Sequence, residues 1–97
     1  MKDLRSLQEL MQNLYFERDK ARGVPTTFAW LVEEIGELAR AIRKENWTNL
    51  EEEFADVLAW LCSLANLLEI DLLEAAWRKY PGSCPRCLEK QACKCPS

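Results

Sequence analysis

The sequence contains no histidine, so any acid–base chemistry or metal binding must use other side chains. It has no long basic run, and its net charge of −3 disfavours nucleic-acid binding that depends on neutralising phosphates. No apolar run reaches the roughly 18 residues of a membrane-spanning helix. The first residues, MKDLRSLQEL, lack the apolar core of a signal peptide. These absences predict a cytoplasmic protein that binds neither nucleic acid nor membrane.

Glycine and proline are scarce before Pro81, and no stretch alternates apolar and polar residues as a strand does. Apolar residues instead recur every three or four positions, which predicts an all-α fold. With 97 residues the chain forms one small domain with a thin core, and its four tryptophans indicate wide apolar faces. We therefore expect an antiparallel bundle of about four helices that is completed by dimerisation.

The predicted helices start and stop at recognisable signals. The first runs from about residue 3 to residue 20 and is broken by Gly23 and Pro25. Thr26 or Thr27 is expected to cap the second helix. The two remaining helices begin at sequence pairs with capping-box spacing, namely Thr48 with Glu51 and Asp71 with Glu74. The fourth is short, ending near Lys79.

The second and third helices each carry an apolar stripe that is predicted to be buried. On helix 2 it consists of Phe28, Leu31, Ile35, Leu38 and Ile42, and on helix 3 of Leu50, Phe54, Val57, Leu61, Leu64 and Leu68. Cys62, which lies within the helix 3 stripe, is expected to be a small buried apolar residue.

Acidic pairs flank these stripes in a matched way. Glu34 and Glu37 lie roughly 80° and 140° from the centre of the helix 2 stripe. Glu53 and Asp56 lie roughly 75° and 135° from the centre of the helix 3 stripe, on the same rotational side. The turn between the two helices is short, which makes them antiparallel neighbours. In that arrangement flanks of the same hand meet, so the four carboxylates should converge.

Four converging carboxylates repel one another unless a cation lies between them. Mg²⁺ or Mn²⁺ prefers such oxygen ligands and also bridges to phosphate oxygens. The pattern therefore predicts a divalent metal site. The alternative is an ordinary solvated surface whose acids pair with Arg40, Arg43 and Lys44.

The last residues, 83–97, form a separate Cys-rich element after a helical domain of residues 1–82. Cys84, Cys87, Cys93 and Cys95 have the spacing C-x2-C, five residues, C-x-C. Four thiolates so close together suit a structural, tetrahedral Zn²⁺ site, particularly in a reducing cytoplasm. Disulfide bonds and a disordered, reduced tail are the alternatives.

With these features, the sequence resembles the MazG-like family of all-α nucleotide pyrophosphohydrolases. The family pattern E-E-x-x-E followed by E-x-x-D is present here as EEIGE, with Glu33, Glu34 and Glu37, and as EFAD, with Glu53 and Asp56. The likeness extends from YFERDKARG through WLVEEIGELARAI and ADVLAWLCSLANLLEIDLLEA to KYPG, and covers about residues 4–82.

The resemblance implies hydrolysis of a nucleoside triphosphate to a monophosphate and pyrophosphate. It implies that Glu34, Glu37, Glu53 and Asp56 hold Mg²⁺, which would position a water for attack at the α-phosphorus. Family members form homodimers that are often paired again as tetramers. For substrate binding, the sequence offers candidates that each have an alternative role as surface or packing residues: Trp30, Trp60, Arg18, Lys20, Lys79 and Tyr80.

Two other functions remain open on the sequence alone. The chain would be a non-catalytic helical adaptor with a zinc-stabilised tail if its acids are only surface residues. It would be a hydrolase of another pyrophosphate compound, such as a dinucleotide, if the metal site takes a different substrate. Nothing in the residues identifies the preferred base or sugar.

Overall fold

The computed structural model describes residues 2–96. Met1, at the start of the predicted helical domain, and Ser97, at the end of the predicted tail, lie outside the described residues. Four helices follow one another along the chain: α1 Leu4–Arg22, α2 Val24–Arg43, α3 Trp47–Leu67 and α4 Leu72–Lys79. Residues 2–96 contain no strand, which confirms the all-α prediction. Among these residues, no helix is both long and apolar enough to cross a bilayer.

A single residue joins α1 to α2. Gly23 has a φ of 89°, a left-handed conformation that favours glycine, and its N–H donates to the Asp19 carbonyl at 2.9 Å. Helix α2 begins directly afterwards with Pro25 in its first turn, where its missing N–H costs little. The expected cap at Thr26 or Thr27 is therefore wrong, because Thr27 lies inside the helix and is fully buried.

The cap that was predicted at the start of α3 is wrong, whereas the cap that was predicted at the start of α4 is confirmed. Helix α3 begins at Trp47 with Asn46 as its N-cap, and the Thr48 hydroxyl donates to the Asn46 side-chain oxygen at 2.9 Å. Thr48 is thus already helical and does not open a capping box. At α4, Asp71 is the N-cap as predicted, and its carboxylate accepts from the Glu74 N–H at 3.0 Å.

Helices α2 and α3 form the main pair, and α1 packs against both. Trp30 contacts Trp60 at one end of the pair, while Ala41 and Asn49 line one cavity at the other end. The residue numbers rise on one helix as they fall on the other, so the two helices are antiparallel. The short connection from Lys44 to Asn46 requires this arrangement.

A buried amide ties α1 to the α3–α4 connection. The Gln8 side-chain nitrogen donates to the Asn66 side-chain oxygen at 3.0 Å and to the Ile70 carbonyl at 2.7 Å. The Gln8 side-chain oxygen accepts from the Leu72 N–H at 2.9 Å. The Asn66 amide donates back to the Gln8 carbonyl at 3.1 Å. This network fixes where α4 starts, although α4 itself buries no residue completely.

The buried core is smaller than the apolar stripes predicted. It consists of Met11, Leu31, Ala41, Cys62 and Ala65, with Cys62 fully buried as expected. Much of each predicted stripe is instead exposed in the single chain, including Phe28, Ile35, Ile42, Phe54, Leu61 and Leu68. The prediction that these stripes are buried is therefore wrong for the single chain. The faces through which α2 and α3 contact each other and α1 are narrower than the predicted apolar stripes.

Candidate active site

Three carboxylates from two helices meet on one side of the α2–α3 pair. Glu34 lies on α2, whereas Glu53 and Asp56 lie one turn apart on α3. One carboxylate oxygen from each residue lies within 4.8 Å of the others. Glu34 and Glu53 are partly buried, and Asp56 is exposed. The antiparallel pairing thus brings together three of the four carboxylates that were predicted to converge.

Glu37, the fourth of these carboxylates, lies outside the closest set. It is exposed, one turn further along α2, and it lines a neighbouring cavity together with Glu53. Arg40 and Lys44 line the same cavity, so cations stand at this end of the acidic cluster. Glu37 is still close enough to Glu34 to affect its titration.

The environment of Glu34 disfavours its charge. Burial is the main cause that raises the pKa of Glu34 above its ordinary value, and the negative charges of Asp56 and Glu53 raise it further. Across residues 2–96, no salt bridge reaches any of the three clustered carboxylates. The site therefore concentrates negative charge that the protein's own cations leave unpaired.

This arrangement fits a hard divalent cation. Oxygen ligands at 2.0–2.1 Å from Mg²⁺ stand at most about 4.2 Å apart, and the three carboxylate oxygens lie within 4.8 Å of one another, so small side-chain adjustments suffice to bring them onto one ion. Carboxylates are ligands that Mg²⁺ and Mn²⁺ prefer, and a bound cation would relieve the repulsion at Glu34. The same groups offer nothing to a softer metal that requires sulfur or imidazole.

An aromatic pair lies beside the carboxylates. The rings of Trp30 on α2 and Trp60 on α3 stack with their centroids 5.9 Å apart and their planes 15° from parallel. The guanidinium carbon of Arg22 lies 4.8 Å from the centre of the Trp60 ring. The stacking and this cation–π contact hold the three side chains together at the end of α1.

Asp19 forms an ion pair with that arginine, Arg22. Its Oδ1 accepts from Arg22 Nη1 at 2.8 Å, and the residue is only 2% exposed. Its other oxygen, Oδ2, is buried with no hydrogen-bond partner in residues 2–96. Asp19 and Arg22 line one cavity together with Asp56 and Trp60, so this pair borders the acidic cluster.

The predicted substrate-binding cations separate into near and distant ones. Arg18 lines the cavity that also contains Asp56 and Trp60. Lys20 is exposed and lines neither of the two cavities that border the acids. Lys79 and Tyr80 lie at the end of α4, where the Lys79 ammonium is 5.6 Å from the Tyr80 ring centre. Tyr80 borders the Cys-rich tail and not the carboxylates.

The tail carries a second cluster of metal-binding side chains. The sulfurs of Cys84, Cys87, Cys93 and Cys95 lie within 4.8 Å of one another, and none forms a disulfide. Backbone N–H groups of Glu89 and Lys94 lower the pKa of Cys87 to about 6. The side chains of Cys93 and Cys84 raise the pKa of Cys95 to about 11. The crowding thus favours ionisation of one thiol and opposes that of another.

Sequence reasoning missed Asp19 and gave little weight to Arg40 and Lys44. Asp19 stands three residues before Arg22 at the end of α1, which is helical ion-pair spacing and the only signal in the sequence. Its burial follows from the packing of α1 against α3, which no local pattern specifies. From sequence, Arg40 and Lys44 are expected only as surface partners of the acids.

Comparisons with known proteins point to one family. A family model described as the MazG nucleotide pyrophosphohydrolase domain matches residues 22–88, which is more than half of the chain. The matched range contains all four predicted carboxylates and ends between Cys87 and Cys93. No curated protein gives a significant match.

Proposed function

This chain belongs to the MazG nucleotide pyrophosphohydrolase family, and from this premise we propose that it cleaves a nucleoside triphosphate, ribose or deoxyribose, to the monophosphate and pyrophosphate. The observation that carries the proposal is the set of three carboxylates from α2 and α3, whose oxygens lie within 4.8 Å of one another. Such an activity would cleanse or balance nucleotide pools in the cytoplasm.

Glu34, Glu53 and Asp56 are the residues that would hold Mg²⁺ or Mn²⁺, with Glu37 as the adjacent fourth carboxylate. A divalent ion bound there supplies positive charge for the phosphate oxygens and lowers the pKa of a bound water. The unpaired negative charge around Glu34 supports this assignment, since burial and four neighbouring carboxylates raise its pKa.

The chain's own residues supply the remaining requirements. In the proposed reaction, a water oxygen bonds to the α-phosphorus, the bond from this phosphorus to the oxygen bridging to the β-phosphate breaks, and pyrophosphate leaves. The water proton passes to a carboxylate. Glu37 is a candidate acceptor because it is exposed and outside the closest set. Positioning and charge stabilisation then provide most of the catalysis, so no histidine or nucleophilic serine is needed.

Positive and aromatic side chains beside the acids suit a nucleotide. Arg18 and Arg22 border the cavity next to Asp56 and would attract phosphate charge. The stacked rings of Trp30 and Trp60 offer an aromatic surface for a base. Lys20, Lys79 and Tyr80 lie away from these cavities in one chain, so a role for them in substrate binding would require a partner copy.

We further propose a homodimer, or a dimer of dimers, as the active form. Exposed apolar residues on α2 and α3, such as Phe28 and Phe54, supply a surface that a second copy would cover. An active site at the edge of such an interface would be completed by residues of the partner.

The test is pyrophosphate release from a panel of ribo- and deoxyribonucleoside triphosphates in the presence of Mg²⁺. We expect turnover of at least one nucleotide, and a fall of about 10²-fold or more in Glu53→Gln, the scale at which removing one charge-stabilising group acts. Glu52→Gln is the matched control, since Glu52 is exposed on the same helix turn and outside the cluster. It should retain full activity.

Negative results would separate the competing functions. Absence of turnover with every nucleotide, together with absence of Mg²⁺ binding, would overturn the proposal in favour of a helical adaptor. Turnover only when the panel is widened to dinucleotides or phosphoribosyl-nucleotides would assign a different pyrophosphate substrate to the same site.

A further inference from the structure

The four sulfurs of the tail have a specific spacing. The Sγ–Sγ distance is 3.7 Å for Cys84 with Cys95, for Cys84 with Cys93 and for Cys87 with Cys93. Sulfurs that lie 2.3 Å from a tetrahedral Zn²⁺ ion are about 3.8 Å apart along each edge. A disulfide would instead hold a pair of sulfurs about 2.05 Å apart. These three distances match edges of a tetrahedron of thiolates around one ion, and the remaining pairs lie within 4.8 Å.

Backbone hydrogen bonds around the cysteines also favour a metal site. The Cys84 N–H donates to the Glu89 carbonyl, and the Leu88 N–H donates to the Cys84 carbonyl, both at 2.9 Å, which closes a tight turn around Cys87. Backbone N–H groups donate to sulfur, among them that of Lys94 to Cys87 at 3.4 Å and that of Cys95 to Cys93 at 3.3 Å. Such donors stabilise thiolate charge around a metal.

Two residues of the tail hold unfavourable backbone conformations. Leu88 has a φ of 64° and Ala92 a φ of 51°, both in the left-handed region that side chains disfavour. Leu88 directly follows Cys87, and Ala92 directly precedes Cys93. Conformations of this kind persist only where other interactions determine the backbone.

Little else in the described chain holds the tail in place. Its hydrogen bonds, within residues 83–96, are all internal to it, and none of its residues is fully buried. A segment this short cannot bury enough apolar surface to fix its own fold. Its order therefore requires a cross-link, and free thiols do not provide one.

We propose that Cys84, Cys87, Cys93 and Cys95 bind one structural Zn²⁺ ion per chain, and that this ion supplies the folding energy of the tail. Thiolate ligands in a tetrahedron are typical of Zn²⁺, and four of them leave no open position for a substrate. Arg86, Lys90 and Lys94 lie in the same segment and offset the net negative charge of a zinc tetrathiolate. The site shares no ligand with the carboxylate cluster, and the cavity beside it shares no residue with the two cavities that border the acids.

Metal analysis of the full chain, purified under reducing conditions without added metal, tests the proposal. We expect one zinc per chain, released by a thiol-specific mercurial, and Cys87→Ser should lose most of it. Cys62→Ala is the matched control, because Cys62 is the one cysteine outside the cluster and is buried in α3. It should keep its full zinc content.

Trypsin provides a second measurement that does not depend on activity. Arg86, Lys90 and Lys94 are cleavage sites inside the tail, so wild-type protein should resist cleavage there until zinc is removed. Cys87→Ser should be cut at once in the tail while its helical circular dichroism stays near wild type. Purified protein whose cysteines carry iron, form disulfides by mass under non-reducing conditions, or titrate as free thiols without zinc would overturn the assignment.

Discussion

Glu34 is a carboxylate that the fold keeps among other carboxylates. Burial, together with the neighbouring charges of Asp56 and Glu53, raises its pKa, so its charge opposes folding when no cation is bound. Glu34→Gln removes that charge at nearly constant shape. We expect the metal-free variant to be more stable than wild type by up to about 1 kcal/mol, the scale of partly exposed charge interactions. Urea denaturation in the presence of a chelator measures the difference.

The same substitution should have the opposite effect in the presence of metal. Mg²⁺ raises the melting temperature of any protein that binds it only when folded, so it should stabilise wild type and Glu52→Gln but not Glu34→Gln. A metal-free variant less stable than wild type, with an unchanged response to Mg²⁺, would contradict the proposed role of Glu34.

The sign of the pH dependence follows from the raised pKa of Glu34. Between its ordinary and its raised value, the folded protein binds more protons at this site than the unfolded chain does. Stability from this group therefore falls as pH rises through that window and is regained as pH falls through it. The stability advantage of metal-free Glu34→Gln over wild type should thus be largest at neutral pH and vanish below about pH 3.5, where a glutamate is mostly protonated in both states.

At the level of single residues, the angular positions of side chains around each helix predict most members of the acidic cluster. The 100° step per residue and the short α2–α3 connection were enough to predict that Glu34, Glu53 and Asp56 meet. They did not separate Glu37 from this set, because an exposed side chain beside Arg40 and Lys44 can take several rotamers. Whether these residues hold a metal stays a prediction.

At the scale of elements, Gln8 connects parts of the chain that are far apart in sequence. Its side chain bonds Asn66, Ile70 and Leu72, which lie on either side of the α3–α4 junction. Gln8→Ala leaves the Ile70 carbonyl and the Leu72 N–H without these partners. We expect a loss of about 2–3 kcal/mol in the free energy of unfolding, since unsatisfied polar groups each cost about 1–3 kcal/mol.

Asn13→Ala is the matched control, because Asn13 is an exposed amide on the same helix. It should change stability by less than about 0.5 kcal/mol. Amide hydrogen exchange adds a local readout, since Gln8→Ala should lose protection first at the start of α4. Equal effects of the two variants would mean that the Gln8 network contributes little to stability.

The sequence predicts which segments are helical more reliably than it predicts the residue at which each helix begins. Four helices were expected from the three-to-four spacing of apolar residues, and the Asp71 cap of α4 was identified because an acid and Glu74 stand at cap spacing. The start of α2 was misplaced because Gly23, and not a threonine, makes the junction. At α3 two candidate caps, Asn46 and Thr48, lie two residues apart, and local pattern does not distinguish them.

For the whole molecule, one chain alone is unusually open. Its accessible surface is 7586 Å², whereas a compact monomer of 11.3 kDa exposes about 5,700 Å². Its radius of gyration is 15.8 Å, against about 12.5 Å for a compact domain of this length. The apolar stripes were readable from sequence, but sequence periodicity does not tell a face covered within the chain from one covered by a second copy.

The excess surface includes apolar side chains that a dimer would bury, and Phe54 on α3 is one of the most exposed at 56%. We expect wild type to sediment as a dimer or a dimer of dimers at micromolar concentration. Phe54→Asp should shift it toward monomer, weakening association by about thirtyfold or more, because a buried aromatic anchor contributes about 2 kcal/mol. Its helical circular dichroism should persist, since the residue is not buried within one chain.

Leu88→Asp, which changes an even more exposed residue in the tail, should leave the assembly intact. A monomeric wild type, or equal sedimentation of Phe54→Asp, would contradict dimerisation through this face.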